Sequence, residues 1–480
     1  MPAFKRLGTM KTREEFLAYL EEKGLRDLPV DEKILSAEEG SPMARPWTIG
    51  DVTLPNRWTI HAMEGWDAEK DGRPNDLVLG RWKKFGASGA ALVWGGEAFA
   101  VRDDGRANPR QLCYRPEHAD TTFSLLFDTV TQAHREMLQR EGKNPDEPFL
   151  VGLQLTHSGR FSKAPDDTMA PKIACHHPVL DARVKVDPND DACVLTDGDI
   201  HDIIDRYVTV AKWAWKAGFH FVDVKHCHGY FAHELLHATR RPGPYGGPLE
   251  NRMRFAREII DGIRTECPGM KIGVRLSLFD SIPGHEGNAA PGSVQNVLCD
   301  EDFEIVRIFA EELKIDVLNL TAASPYYSVY AQRPSMTPAL EAMLIHGRLQ
   351  IPDNIEPPED PLLGCCRQIF AARSVKQRFP ALPMIGSAYT YFQEFLPQVA
   401  QGVVRNGWID SVGMGRMVLP YWDLIADTLA GRPLDRRRIC RTFSDCTTGP
   451  RNGMVSGCYP LDPVYKIKPE AARMRELKRK

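Results

Sequence analysis

No stretch of this sequence stays apolar long enough to span a bilayer, and residues 1–8 lack the hydrophobic segment of a secretory signal. Neither a membrane-embedded nor an exported protein is expected. Charge of one sign is also scarce: 61 Lys and Arg against 64 Asp and Glu leave −3, with a pI near 6.5. So balanced a charge argues against nucleic acid or an anionic membrane as the main partner. A disulfide framework is missing too. The 11 cysteines are odd in number and scattered over 480 residues, which points to a reducing compartment, by default the cytoplasm. What is present is ordinary: 42% hydrophobic and 26% charged residues, enough for a sizeable core in one large domain or two average ones.

Residues 1–43 read as an extension carrying one helix. Thr12 can cap it, Glu15 can close a capping box, and Phe16, Leu17 and Leu20 form its apolar stripe. Nothing catalytic shows there, and an interface or a plug for the bottom of a barrel is the expected role. From Trp47 onward one pattern repeats: a short apolar strand, a polar loop, then an amphipathic helix. The strand candidates are 58–62, 90–94, 149–155, 219–225, 271–276, 315–320, 382–386 and 408–413. The clearest helix is Asp199–Ala217, with Ile200, Ile203, Ile204, Tyr207, Val208 and Ala211 on one face and Gly218 as its stop. Eight such units read as a closed parallel barrel, although an open doubly wound sheet fits the periodicity nearly as well. Insertions at 159–197, 280–300 and 321–363 would all lie on one face, where a lid or substrate wall is the usual job of loops so long. The tail from Asp435 carries Cys440, Cys446 and Cys458. The expected organisation is an extension over 1–43, an α/β barrel over 44–434 and a short cysteine-containing tail over 435–480.

The most informative stretch is 219–255. Its strand, Phe219 to Lys225, puts Val222 and Val224 on one face and Asp223 and Lys225 on the other. A polar turn follows in which Lys225, His228 and Tyr230 gather three proton donors at one strand mouth, where barrels keep their chemistry. His228-Gly229-Tyr230, then Tyr245-Gly246-Gly247, Glu250-Asn251-Arg252 and Arg254-Phe255, resemble the Old Yellow Enzyme family of FMN-dependent reductases. Within it they resemble the larger branch that contains 2,4-dienoyl-CoA reductase and trimethylamine dehydrogenase. That family shows H-x-x-[HN]-G-Y and then Y-G-G-S-x-E-N-R-x-R-F. This chain has Pro248 at the serine position and Lys225 where many members carry histidine. The resemblance runs from about Trp47 to Pro463 and implies a (β/α)8 TIM barrel around FMN.

It also implies a site. Gln154, His157, Gly159 and Arg160 resemble the family's Q-x-x-H-x-G-R, in which the glutamine holds the flavin pyrimidine edge. Arg275 resembles the arginine that faces flavin N1 and O2, where a fixed positive charge stabilises the anionic reduced ring. A buried ion pair inside the barrel is the alternative for it. Ala62 and Met63 at the end of the first strand, and Gly95 after the second, are expected against the ring. Glu64 departs from the family pattern, and because a carboxylate beside N5 would disfavour reduction, it is not expected to point inward ionised. Small residues at the last two strand ends, Gly386, Ser387, Gly413 and Gly415, can bring backbone N–H groups to the phosphate, with Arg416 to neutralise it. By the same resemblance His228 and Lys225 polarise the substrate and Tyr230 supplies a proton, with a plain Lys225–Asp223 pair as the alternative for the lysine.

The larger branch carries C-x-x-C-x-x-C…C for a [4Fe–4S] cluster. Here Cys440, Cys446 and Cys458 match three ligands, while Phe443 stands in place of the second. A vestigial site is expected over a bound cluster, since cluster iron needs thiolates on nearly every corner. The branch's nucleotide-binding domains are not expected here, so electrons would enter at FMN. The sequence thus reads as an FMN-dependent oxidoreductase that reduces an activated C=C bond of a small molecule with NAD(P)H. Amine oxidation, and flavin binding without turnover, are the rivals; a homo-oligomer is left open.

Overall fold

The computed structural model of the chain describes residues 4–280, 282, 294–327, 329–335 and 360–479. Among them, β3 (Trp58–Ile60), β4 (Leu92–Val93), β6 (Leu150–Thr156), β7 (Phe221–Val224), β8 (Lys271–Ser277), β9 (Val317–Thr321), β10 (Met384–Gly386) and β11 (Ser411–Met414) pair in parallel. The ring closes where β11 meets β3. This is the closed (β/α)8 barrel, and the open sheet is excluded. A short segment, β5 (Ala98–Ala100), continues the line of β4 and pairs with the later half of β6. The break between β4 and β5 falls at Gly95 and Gly96, both at positive φ.

Helices surround the barrel because each strand exports one apolar face. In β7, Val222 and Val224 join the large core beneath the helices, which leaves Asp223 for the interior. The helix α2 (Asp76–Gly86) packs on α3 (Ala119–Arg140), and the helix Asp197–Lys216 packs on the helix Arg254–Glu266. Two strand starts move inward from the sequence expectation for one reason. Phe219 N–H bonds Ala214 O and Trp408 N–H bonds Val403 O, so these residues finish the preceding helix, with Gly218 and Gly407 at positive φ.

The bottom of the barrel is closed by the hairpin β1 (Trp47–Ile49) and β2 (Val52–Leu54). Trp47, Ile49 and Leu54 cluster with Leu92, Leu150, Phe221, Val317 and Ile385 at the strand starts. The extension is therefore not the plug. Its helix α1 (Arg13–Glu22) lies along residues 389–405, where Phe16 stacks on Phe395 at 4.5 Å and Asp31 pairs with Arg405. Thr12 accepts the Glu15 N–H as its cap, while the Glu15 carboxylate accepts the Lys11 N–H one residue before the expected position. At the other end of the chain, the tail crosses the top of the barrel and anchors on α2 through a Lys84–Asp462 ion pair and an Arg81–Ser456 carbonyl bond. No described helix is long and apolar enough to cross a membrane.

Candidate active site

The strand mouths and the tail enclose one cavity of about 1300 Å³, measured out to its opening. Ala62, Met63, Gln154, Lys225, His228, Tyr230, Arg275, Ser387, Gly413, Gly415 and Arg416 all line it. Gly95 and Gly386 do not. A Cβ on Gly95 would stand 2.6 Å from the Gln154 backbone nitrogen, so this glycine serves the strand break. At Gly386 a Cβ would crowd the Tyr389 hydroxyl at 2.9 Å.

One side of the cavity suits a flavin. Arg275 is 7% exposed, forms no ion pair among the described residues, and spends one guanidinium nitrogen on Ala62 O at 3.1 Å. Its Nε has no partner there, and burial pulls its pKa down. A buried cation without a counter-ion is costly, so the position asks for an anion. The alternative, a buried ion pair for Arg275, is not what the barrel contains. The nearby Asp223 is otherwise engaged, accepting from Trp94 Nε1 at 2.7 Å, Gln154 Nε2 at 2.6 Å and the Arg275 N–H at 2.7 Å. Burial nonetheless pushes Asp223 up to about 6. Because Gln154 gives its amide N–H to Asp223, its Oε1 is left as the acceptor that a flavin N3–H requires.

His61 ties this side to the last two strand ends. The Asn319 amide meets its Nδ1 at 3.1 Å and Ser387 Oγ meets its Nε2 at 3.1 Å. Burial, then the Arg275 charge, holds its pKa well below the usual range, so the ring is neutral. Gly413 must be glycine for this ring, since a Cβ would lie 2.1 Å from it. A Cβ on Gly415 would meet nothing nearer than the Met63 side chain at 3.9 Å, and Ala388 takes a left-handed φ of 77° at the preceding strand mouth. Arg416 bonds Pro334 O at 2.9 Å and Ser444 Oγ at 3.4 Å, yet has no carboxylate partner among the described residues. Two unpaired arginines, an oriented amide and small residues between them fit FMN from ring to phosphate.

The other side is built around Glu64. Contrary to expectation, its carboxylate faces the cavity and pairs with Lys225 Nζ at 2.9 Å. The Lys225–Asp223 pair does not form: Asp223 accepts from three other donors, and Lys225 turns to Glu64. Lys225 also sits 3.9 Å over the centre of the Tyr230 ring. The Tyr230 hydroxyl lies 3.2 Å from that of Tyr326. Burial first, then the Glu64 charge, raises the Tyr230 pKa well above its ordinary value. His228, at a φ of 65°, is fixed by its N–H to Ser277 Oγ and by Thr321 and Gln332 at Nε2. Burial, then Arg275 and Lys225, keeps it neutral.

Sequence reasoning missed Asp223 as the holder of Gln154, Trp66, Gln332 and Arg451 as walls, and Tyr326 as the partner of the Tyr230 hydroxyl. Trp66 stands three residues beyond Met63 and was readable as part of that loop. Tyr326 and Gln332 lie in an insertion without periodicity, and Arg451 lies in the tail. Parts of the insertions at 280–300 and 321–363 fall outside the described residues.

The tail brings the thiols of Cys440, Cys446 and Cys458 within electrostatic reach of one another, with Phe443 where the family pattern has a further ligand. Cys440 and Cys458 are buried, and Cys446 is half-buried at the cavity wall. Burial raises the pKa of all three, pushing Cys440 up to about 11. At the missing corner, the Phe443 ring faces the Lys478 ammonium at 5.6 Å. Among the described residues, only His233, His237 and Asp280 bring metal-binding atoms within 4.8 Å of one another. His233 Nδ1 already accepts the Gly229 N–H, which places its proton on Nε2 and makes that nitrogen a donor.

Comparison with known proteins agrees with this geometry. An NADPH dehydrogenase of Bacillus velezensis (strain DSM 23117 / BGSC 10A6 / LMG 26770 / FZB42) is 28% identical over 241 residues, 49% of this chain and 63% of that protein. The chain thus matches less than two thirds of that relative's length. Among solved structures, a 2-naphthoyl-CoA reductase in complex with 2-naphthoyl-CoA aligns with a TM-score of 0.67 at 19% identity, covering 88% of this chain and 57% of the other. Morphinone reductase aligns with a TM-score of 0.56 at 20% identity, covering 82% and 91%. At these identities the structures show a shared fold. The family model for NADH:flavin oxidoreductases and NADH oxidases matches residues 42–302, more than half of the chain. With that match over the strands that carry Gln154, Tyr230 and Arg275, the chain belongs to the NADH:flavin oxidoreductase / NADH oxidase family, the family of the Old Yellow Enzymes.

Proposed function

We propose that the chain is an FMN-dependent oxidoreductase that uses NAD(P)H to reduce an activated C=C bond in a small molecule. The observation that carries this reading is the pairing of an anion-seeking Arg275 with a protonated Tyr230 across one cavity. Bound there, FMN would supply the hydride chemistry. The chain's residues do the rest. Gln154, Arg275 and Arg416 would hold the cofactor, with Asp223 and His61 keeping the donors aimed. Neutral His228 and the Lys225 ammonium are the donors available to a substrate carbonyl oxygen. Polarising that oxygen makes the β-carbon of the conjugated alkene the acceptor for hydride, and donors already fixed in a dry site need little reorganisation.

Tyr230 is the proposed proton donor to the other alkene carbon. Its raised pKa keeps the hydroxyl protonated at neutral pH. After donation, the phenolate would lie beside the Tyr326 hydroxyl and under the Lys225 cation. Similarity to an NADPH dehydrogenase supports NADPH as the reductant. One feature favours the second reading, amine oxidation: the Glu64 carboxylate could receive a substrate ammonium. Its existing pair with Lys225 weighs against this.

Anaerobic stopped flow separates the two half-reactions. NAD(P)H should reduce the bound flavin at the same rate in wild type and Tyr230→Phe, since that step needs no protonated alkene carbon. Reoxidation by 2-cyclohexenone should slow by about 10²–10⁴-fold in the variant, the usual contribution of a positioned acid. Wild-type reoxidation in Tyr230→Phe would remove the proton role, and reduction by amines but not by NAD(P)H would favour the second reading.

A further inference from the structure

The substrate side of the cavity carries a cation that neither the cofactor nor the proton chemistry uses. Arg451 is the last residue of the tail helix Asp445–Arg451, and it lines the cavity together with Glu64, Trp66 and Tyr230. Its guanidinium carbon lies 5.0 Å from the centre of the Trp66 ring and 5.6 Å from that of Tyr326. Its one described hydrogen bond is a long one, from Nη1 to Thr447 O at 3.3 Å. Among the described residues it has no carboxylate partner. The acidic groups nearby are already committed: Glu64 to Lys225, and Asp67 and Glu97 to Arg81. The buried Trp66 indole N–H likewise has no acceptor among the described residues.

We propose that Arg451 binds a carboxylate of the substrate, so that the enzyme prefers an activated alkene that also carries a free carboxylate. This rests on the function proposed above and names its substrate class. With Arg275 and Arg416 assigned to the cofactor, Arg333 bonded to Ser444 beside Arg416, and Lys225 neutralised by Glu64, Arg451 is the cation left against Trp66 and Tyr326. A carboxylate monoanion matches one planar guanidinium fork, whereas a phosphate dianion would call for a second cation. The ring faces of Trp66 and Tyr326 hold the guanidinium by cation–π attraction and set its position before the substrate arrives. Arg451 is therefore a specificity-determining residue, and it comes from the tail, beyond residues 42–302 where the family model matches.

Two measurements on the FMN-loaded full chain test this. In turnover with NADPH, kcat/KM for 3-oxocyclohex-1-ene-1-carboxylate should exceed that for 2-cyclohexenone. Arg451→Gln should lower the former by about ten- to hundredfold, as expected for one charge-assisted contact, and leave the latter unchanged. Arg451→Lys should restore part of the loss. Equal effects of Arg451→Gln on both substrates would overturn the proposal. The second measurement needs no turnover and so stands apart from the failure of alkene reduction: equilibrium dialysis of benzoate against benzamide on the oxidised protein. Wild type should prefer benzoate and Arg451→Gln should lose that preference. A wild type without the preference, or a variant that keeps it, would overturn the proposal.

Discussion

At the scale of single residues, Glu64 changes how the site works. A carboxylate in the cavity would oppose build-up of negative charge on a flavin, but the Lys225 ammonium at 2.9 Å offsets it. The same carboxylate helps to keep Tyr230 protonated. Glu64→Gln removes that charge, so the Tyr230 pKa should fall. An acid with a lowered pKa loses its proton at lower pH, and the alkaline limb of the reoxidation rate should therefore move toward neutrality in the variant. Stopped-flow reoxidation measured across alkaline pH checks this, and an unmoved limb would separate Glu64 from the proton donor. His228, Tyr230 and Gln154 were legible in the sequence because each stands in a spaced motif at a strand mouth, and Arg275 because a lone arginine interrupts an apolar strand. Glu64 was seen but misjudged, since its partner Lys225 comes from a strand 161 residues away and nothing local announces the pair.

At the scale of elements, the repeating strand–helix pattern was legible because every unit needs an apolar strand and a one-sided helix. The break between β4 and β5 was not, since a strand interrupted by Gly95 and Gly96 looks like an ordinary loop. The extension was read correctly as a capped amphipathic helix, but its place depended on which surface it meets. Phe16 is fully buried, stacking on Phe395 at 4.5 Å and meeting Phe392 edge-on at 6.2 Å. Phe16→Ala should lower unfolding stability by about 3–5 kcal/mol, the range for losing a large buried ring. Denaturant unfolding at fixed FMN concentration measures it. A loss below about 1 kcal/mol would fall well outside that range and would mean that the extension does not share the barrel's core.

At the scale of the whole molecule, a plugged and closed barrel leaves its upper mouth as the place for a large ligand, and the tail narrows that mouth to the cavity. Strand ends hundreds of residues apart meet there, which is why the fold and the motifs were readable while the walls from the insertion and the tail were not. Everything proposed for the substrate side depends on a flavin occupying the other side, held by Arg275 and Arg416. The decisive measurement is FMN titration of the purified chain, followed by visible absorbance, with Arg416→Ala alongside. One FMN should bind per wild-type chain, and the variant should bind about ten- to hundredfold more weakly, as expected for loss of one charge-assisted phosphate contact. A folded, colourless wild type that takes up no FMN would contradict the flavin site and the chemistry built on it.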